Sequence, residues 1–254
     1  LNTNLFWLNS GIFKEVFKED IMSFYSENKV IILTGVSMNT SNARYNMIEQ
    51  QIKPWNVPDK TVLNVFNIIH RELFVPVKYK KLAYADTAIP LTDNQSMLQP
   101  TIEAKLLQSL NIKKSESTLE IGTGSGYLTA CLAQLSKHVT SYETSESLAE
   151  QAQQIIAEQN IKNIEITNQD ALLKENITQQ LDVIAITGAL LNVPDHLKEA
   201  LNINGRLFCI TGSLPIMQAS VITRTHNAQW EQKSLFETTA PYLNTAPANK
   251  KFIF

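Results

Sequence analysis

Three acids and a run of glycines are the residues whose spacing suggests chemistry. The segment Glu120-Ile121-Gly122-Thr123-Gly124-Ser125-Gly126 follows an apolar run that reads as a strand and opens a run that reads as a helix. That strand-loop-helix setting makes a glycine loop credible as a ligand site. Glycines let the backbone turn tightly and approach a ligand without a Cβ in the way. Dinucleotide sites space them G-x-G-x-x-G, with a pyrophosphate on the helix N-terminus. Here the third glycine comes one residue early, and Glu120 sits immediately before the loop. An acid there repels a pyrophosphate and suits a ligand that is positively charged nearby. Glu143 closes the next strand, where a carboxylate normally grips a ribose diol. Asp170 closes the third strand, within reach of an adenine edge. An adenosyl ligand with positive charge fits all three, and S-adenosylmethionine carries both a sulfonium and an ammonium. The expected cofactor-binding residues are therefore Glu120, Gly122, Thr123, Gly124, Gly126, Glu143 and Asp170.

The acids can share one rim only if their strands are parallel neighbours. From Ser117 onward the chain alternates strand and helix. Strands are expected at 118–122, 139–143, 163–168, 181–187 and 206–211, and helices at 126–136, 147–159 and 195–200. Two β-rich segments, 219–225 and 235–241, follow, and 236–254 is either a final hairpin or a partner surface. Repeated β-α-β means a mostly parallel sheet covered by helices. Upstream, Met47, Ile48, Gln51 and Ile52 start a helix that Pro54 should end. Asp59 is placed to cap a second, with Val62, Leu63, Phe66 and Ile69 at helical spacing and Pro76 closing it. Residues 77–98 read as irregular, and Pro100 opens the helix that carries Ile102, Leu106, Leu107 and Leu110. The expected class is α/β, a Rossmann-like methyltransferase fold with an N-terminal helical segment.

Residues 1–37 differ from the rest. They are rich in aromatics, and Met38 opens a fresh polar segment. They read as an upstream extension before a start at Met38, or as an amphipathic helix docked on the body. The expected organisation is 1–37 as an extension and 38–254 as the catalytic domain, divided into a helical, acceptor-loop part (38–116) and a cofactor-binding α/β part (117–254).

Composition excludes several classes. The 254 residues are 44% apolar and 18% charged, with net charge −2, so the basic excess of a nucleic-acid binder is missing. Cys131 and Cys209 lie far apart in apolar runs and read as buried thiols. His70, His138, His196 and His226 are scattered, and no metal site is expected. No stretch reaches the ~20 apolar residues of a membrane span. A cytoplasmic protein with no nucleic-acid or membrane partner is expected.

Four stretches together are more specific than the glycine loop. They are Met47-Ile48-Glu49-Gln50-Gln51-Ile52 with Val57, Asp59 and Val62-Leu63; His70-Arg71-Glu72-Leu73-Phe74-Val75-Pro76 with Ala83-Tyr84-Ala85-Asp86; Gln95-Ser96-Met97-Leu98-Gln99-Pro100; and Glu120 to Tyr127. On these, residues 38–254 resemble the protein-L-isoaspartate O-methyltransferase family. The resemblance implies methyl transfer from S-adenosylmethionine to the carboxylate of an isoaspartyl residue in a damaged protein or peptide. It assigns Gly122, Gly124 and Gly126 to the methionine end, Glu143 to the ribose and Asp170 to the adenine, and places the 95–99 loop over cofactor and acceptor. The chain departs from the pattern in that loop. The family's Q-T-I-S-Q-P becomes Gln-Ser-Met-Leu-Gln-Pro, so Leu98 replaces a serine, Ser96 keeps one hydroxyl, and Asn94 replaces a glycine. Asn204 and Gln169 also stand where the family has glycine.

A carboxylate acceptor is ionised at neutral pH, so no general base is expected. Ser96 is the expected orienting residue for the acceptor, and Tyr84 and Asp86 either shape its mouth or serve the fold. Leu98 leaves two further readings open: the same fold with another acceptor, and an S-adenosylmethionine-binding protein without catalysis. A nicotinamide-dependent oxidoreductase is disfavoured by the early third glycine.

Overall fold

The computed structural model describes residues 23–26, 29–32 and 37–244. The chain divides into two compact units, 1–46 and 47–254. The first holds an antiparallel strand pair, β1 (Ser23–Ser26) and β2 (Lys29–Ile32), and helix α1 (Ser37–Asn46). The described part of the aromatic N-terminal stretch is thus extended rather than helical. The rest of residues 1–37 lies outside the described residues, as does the end of the 236–254 stretch beyond residue 244.

The second unit opens with a π-helical turn, Met47–Ile52, that buries Met47, Ile48 and Ile52. Pro54 does not end it. A 3-10 turn, Lys53–Trp55, absorbs the proline in its first turn, where no N–H is required, and Asn56 at φ 67° ends the run. Helix α2 (Lys60–Ile68) starts where Asp59 predicts, because the Asp59 carboxylate accepts from the Thr61 and Val62 N–H groups at 2.7 and 3.3 Å. It stops well before Pro76, since Ile69 is already extended. The irregular region contains a 3-10 helix, Val77–Leu82, and a tiny hairpin, β3 (Ile89–Pro90) with β4 (Ser96–Met97). Helix α3 (Pro100–Leu110) begins at its proline as expected.

The remaining elements follow the alternating pattern: β5 (Ser117–Ile121), α4 (Tyr127–Leu135), β6 (His138–Glu143), α5 (Glu146–Glu158), β7 (Ile164–Asn168), β8 (Leu181–Leu190), α6 (Asp195–Glu199), β9 (Leu201–Ser213), β10 (Ile216–His226) and β11 (Gln229–Thr238). They build a seven-stranded sheet in the order β11-β10-β9-β8-β5-β6-β7. The five strands from β7 to β9 are parallel, and β10 and β11 are antiparallel additions. The last strands run longer than the sequence pattern shows because each has a paired neighbour to extend against. Chain order reverses at β5, whose neighbours are β6 on one side and β8 on the other. The crevice at the carboxyl ends of such a switch point is where open α/β sheets take their ligands.

One irregularity shapes that crevice. Between Ala185 and Ala189 four steps along β8 match only two along β9, from Phe208 to Ile210. Ile186, Thr187 and Gly188 thus stand against Cys209 alone, a bulge of two extra residues beside the glycine loop, and bulges commonly occur next to sites. The core beneath is apolar, with Leu119, Ile121, Ile184, Ile186, Leu207 and Cys209 packed together. Among the described residues no helix is long and apolar enough to cross a membrane.

Removing the α2 cap tests the local account. Asp59→Ala should cost about 1 kcal/mol and lower the melting temperature by roughly 2–4 °C. An unchanged thermal unfolding curve would contradict it.

Candidate functional site

The glycine loop between β5 and α4 is a backbone turn forced by crowding. Gly122, Gly124 and Gly126 have φ of 99°, 54° and 80°, a region that side chains penalise. A Cβ on Gly122 would lie 2.5 Å from Thr187 Oγ1 in the β8 bulge. Thr187 Oγ1 lies 2.6 Å from the Gly122 carbonyl oxygen and 3.0 Å from that of Ile121, so its hydroxyl ties the bulge to the start of the loop. On the other side, the Gly124 N–H donates to Glu143 Oε2 at 2.9 Å and the Ser145 N–H to Glu143 Oε1 at 3.0 Å. Glu143 is thereby fixed at the end of β6 with lone pairs to spare.

A cleft of about 590 Å³, open to solvent, lies against this turn. Gly122, Gly124, Glu143 and Asp170 line it. The Asp170 carboxylate accepts from the Leu172 N–H at 2.8 Å, which curls the chain after β7 around the cleft. The sequence pattern missed several wall residues. Tyr142 and Thr144 flank Glu143, and Gln169 precedes Asp170, so proximity to the expected acids was their only signal. Thr187 and Gly188 come from the bulge, and Leu243 and Asn244 from the far end of the chain.

Three expected cofactor-binding residues sit elsewhere. Glu120 is fully buried and is not on the cleft wall. Its carboxyl accepts hydrogen bonds from the hydroxyls of Thr129 and Ser141, the latter at 2.6 Å. Burial pushes its pKa up to about 8, so at neutral pH it is largely an uncharged acid inside the fold. Facing inward and off the cleft wall, it is not placed at the rim where the motif suggested it. Gly126 answers to packing, since a Cβ there would meet the Ala152 Cβ of α5 at 3.1 Å. Thr123 is buried, with its hydroxyl 2.6 Å from that of Ser141, and lines a neighbouring cavity rather than the cleft.

That second cavity, of about 310 Å³, shares Leu91, Ser96, Gly122, Gly124 and Thr187 with the cleft and adds Met97, Leu98, Glu103, Thr123, Ser125 and Leu128. Its roof is the 91–98 loop. Asp93 and Asn94, at φ 55° and 57°, form a tight turn closed by the Gln95 N–H to the Thr92 carbonyl at 3.0 Å. Three ties hold this loop. Ser145 Oγ donates to Asp93 at 2.6 Å, Gln95 Nε2 donates to the Tyr242 carbonyl and to Asn244 Oδ1 at 3.2 and 2.6 Å, and Arg71 Nη2 donates to the Leu98 carbonyl at 2.6 Å. The 241–244 segment is itself laced to β8 by Ala189 N–H to Pro241 O and Leu243 N–H to Ala189 O.

Arg71 is wholly buried, ion-paired with Glu103 and stacked 4.7 Å over the Tyr127 ring. Burial raises the Glu103 pKa to about 7 against the pull of that guanidinium. Ser96 lines both cavities. Tyr84 and Asp86 serve the fold instead. Tyr84 donates to Glu72, and Asp86 caps α3 by accepting from the Thr101 N–H and hydroxyl at 3.1 and 2.8 Å. Among the described residues no cluster of His, Cys, Asp and Glu could hold a metal.

Comparison with known proteins bears on what this arrangement does. Residues 42–242 match the family model described as Protein-L-isoaspartate(D-aspartate) O-methyltransferase (PCMT). A Petrotoga mobilis protein named protein-L-isoaspartate O-methyltransferase is 36% identical over 181 residues, covering 70% of this chain and 84% of its own. A Rhodopseudomonas palustris protein of the same name is 33% identical over 190 residues, covering 74% and 87%. Among solved structures, a Plasmodium falciparum protein-L-isoaspartate O-methyltransferase in complex with S-adenosyl-L-homocysteine aligns with TM-score 0.69 at 20% identity, over 80% of this chain and 97% of that one. At that identity the match establishes a shared fold.

The buried Glu120 makes a pH prediction. Its folded-state pKa is raised from 4.5 to about 8, so the native state holds a proton that the unfolded chain has released. Its contribution is fully present below about pH 4.5 and is lost as pH rises towards 8. Glu120→Gln should therefore gain stability relative to the parent as pH rises from 5 to 8, read by denaturant unfolding at several pH values. A pH-independent difference would show that Glu120 is charged in the fold.

Proposed function

The chain belongs to the protein-L-isoaspartate(D-aspartate) O-methyltransferase family, and from that premise we propose that it methylates the side-chain carboxylate of L-isoaspartyl residues in proteins and peptides, using S-adenosylmethionine. One observation carries the cofactor reading: the Glu143 carboxylate is fastened to the glycine loop by the Gly124 N–H and stands in the cleft wall at the end of β6. There it is the acceptor for a ribose diol. Gly122 and Gly124 leave room for the methionine end, and Asp170 and Gln169 offer polar groups to an adenine edge. The bound cofactor supplies a methyl group on a positively charged sulfur.

The reaction needs little from side chains. Held by Glu143 and the glycine loop, the cofactor would give its methyl group to an acceptor oxygen and would leave as the neutral thioether. No proton moves, because the acceptor is a carboxylate with a pKa near 4. The protein's work is orientation, which can supply several kcal/mol, and exclusion of water, which strengthens every polar contact inside. The 91–98 loop, tied to 241–244 and to Ser145, performs both by roofing the two cavities. Ser96, on the wall shared by cleft and second cavity, is the orienting hydroxyl for the acceptor. Activity in the cytoplasm is in keeping with Cys131 and Cys209, which are both buried free thiols.

Two measurements test this reading. Radiolabelled S-adenosylmethionine should label an isoaspartyl peptide and leave its aspartyl twin unlabelled. Labelling of neither peptide would point to another acceptor or to a cofactor-binding protein without catalysis, the two readings that Leu98 leaves open. Glu143→Ala should weaken S-adenosylhomocysteine binding by roughly 10-fold or more, as expected for losing a charged hydrogen-bond partner. Unchanged affinity in calorimetry would displace the cofactor from the cleft.

A further inference from the structure

We propose that Ser125 provides the second hydroxyl that binds the acceptor carboxylate, in place of the one absent at Leu98. The inference rests on the isoaspartyl reading above and identifies a further residue of that site. Four side-chain hydroxyls line the second cavity among the described residues: Ser96, Thr123, Ser125 and Thr187. A group that binds a carboxylate must have a proton free to donate. Thr187 spends its proton on the Ile121 and Gly122 carbonyls. Ser141 donates to Glu120, so the Thr123 hydroxyl, 2.6 Å away, spends its proton on Ser141.

Ser125 differs. Its oxygen accepts weakly, at 3.4 Å, from the Tyr127 N–H. That contact uses a lone pair and leaves the hydroxyl proton unspent. Ser96 has no side-chain hydrogen bond among the described residues, so two donors remain for one carboxylate, both on the wall of the cavity that adjoins the cofactor cleft. The side chains of Leu91, Met97, Leu98 and Leu128 add no donor, because they are apolar. Glu103 is acidic, but its carboxylate is paired with Arg71. An unpaired carboxylate in such a cavity is costly, so each hydroxyl counts.

The test compares the full-length parent with Ser125→Ala, Ser125→Thr and the double variant Ser125→Ala with Leu98→Ser. It measures labelling of an isoaspartyl peptide and calorimetric binding of S-adenosylhomocysteine. Ser125→Ala should lower kcat/KM by roughly 10- to 100-fold, chiefly through peptide KM, with S-adenosylhomocysteine affinity within about twofold of the parent. Ser125→Thr, which keeps the hydroxyl, should retain most activity. Adding Leu98→Ser to Ser125→Ala should recover at least about fivefold, because it returns a donor to the same cavity. Unchanged kcat/KM in Ser125→Ala, or a parallel loss of S-adenosylhomocysteine binding, overturns the assignment while leaving the isoaspartyl reading intact. A parent that labels no isoaspartyl peptide sinks that reading itself and takes the Ser125 role with it.

Discussion

No side chain can stand at residue 122, and much of the site follows from that. The β5–α4 turn is pressed against the bulge of β8 so closely that even a methyl group would meet the Thr187 hydroxyl at 2.5 Å. The same closeness lets Thr187 bond to the loop's own carbonyls. The turn in turn presents the Gly124 N–H to Glu143 on the next strand. Three parallel strands are thus joined at their carboxyl ends by polar contacts, and the cleft is the space those contacts leave. Gly188, in the bulge, makes a matching concession. A Cβ there would lie 2.6 Å from Leu243, so the returning chain end can close the cleft only over a glycine.

The second cavity depends on a different constraint. Arg71 is buried between Glu103, the Leu98 carbonyl and the Tyr127 ring. Removing one partner of a buried ion pair strands the other charge, so this cluster holds α3, α4 and the acceptor loop in one arrangement. Two departures from the family pattern find a backbone reason in the structure. Asn94 and Asn204 replace family glycines, and both adopt positive φ, 57° and 68°. Asparagine tolerates that region better than other side chains. No such reason covers Leu98, whose change alters the chemistry of the cavity wall.

Much of the fold was legible in the sequence because its signals are local. Asp59 and Pro100 mark helix starts by hydrogen-bond and steric rules that act within one turn, and apolar runs separated by helical periods gave the parallel strands. What sequence could not show was direction and distance. Glu120 precedes the glycines and looks like a rim acid, yet its side chain turns inward to Thr129 on the following helix and Ser141 on the neighbouring strand. Within an all-buried strand no alternation of polar and apolar residues reveals which way a side chain points. Thr187, Leu243 and Asn244 reach the cleft through a bulge and a returning chain end, contacts between segments far apart in sequence. At Gly126 motif spacing cannot separate approach to a ligand from approach to a helix, and the structure shows the helix contact.

The central claim is geometric: a cofactor on Glu143 and the glycine loop, and an acceptor entering from the cavity roofed by residues 91–98. A crystal structure with S-adenosylhomocysteine and an isoaspartyl peptide tests it directly. The account predicts the ribose hydroxyls on the Glu143 carboxylate, and the isoaspartyl carboxylate inside the cavity walled by Ser96, Leu98 and Ser125, pointing at the cofactor sulfur. A ribose bound away from Glu143, or a peptide that reaches the sulfur from outside that cavity, would contradict it.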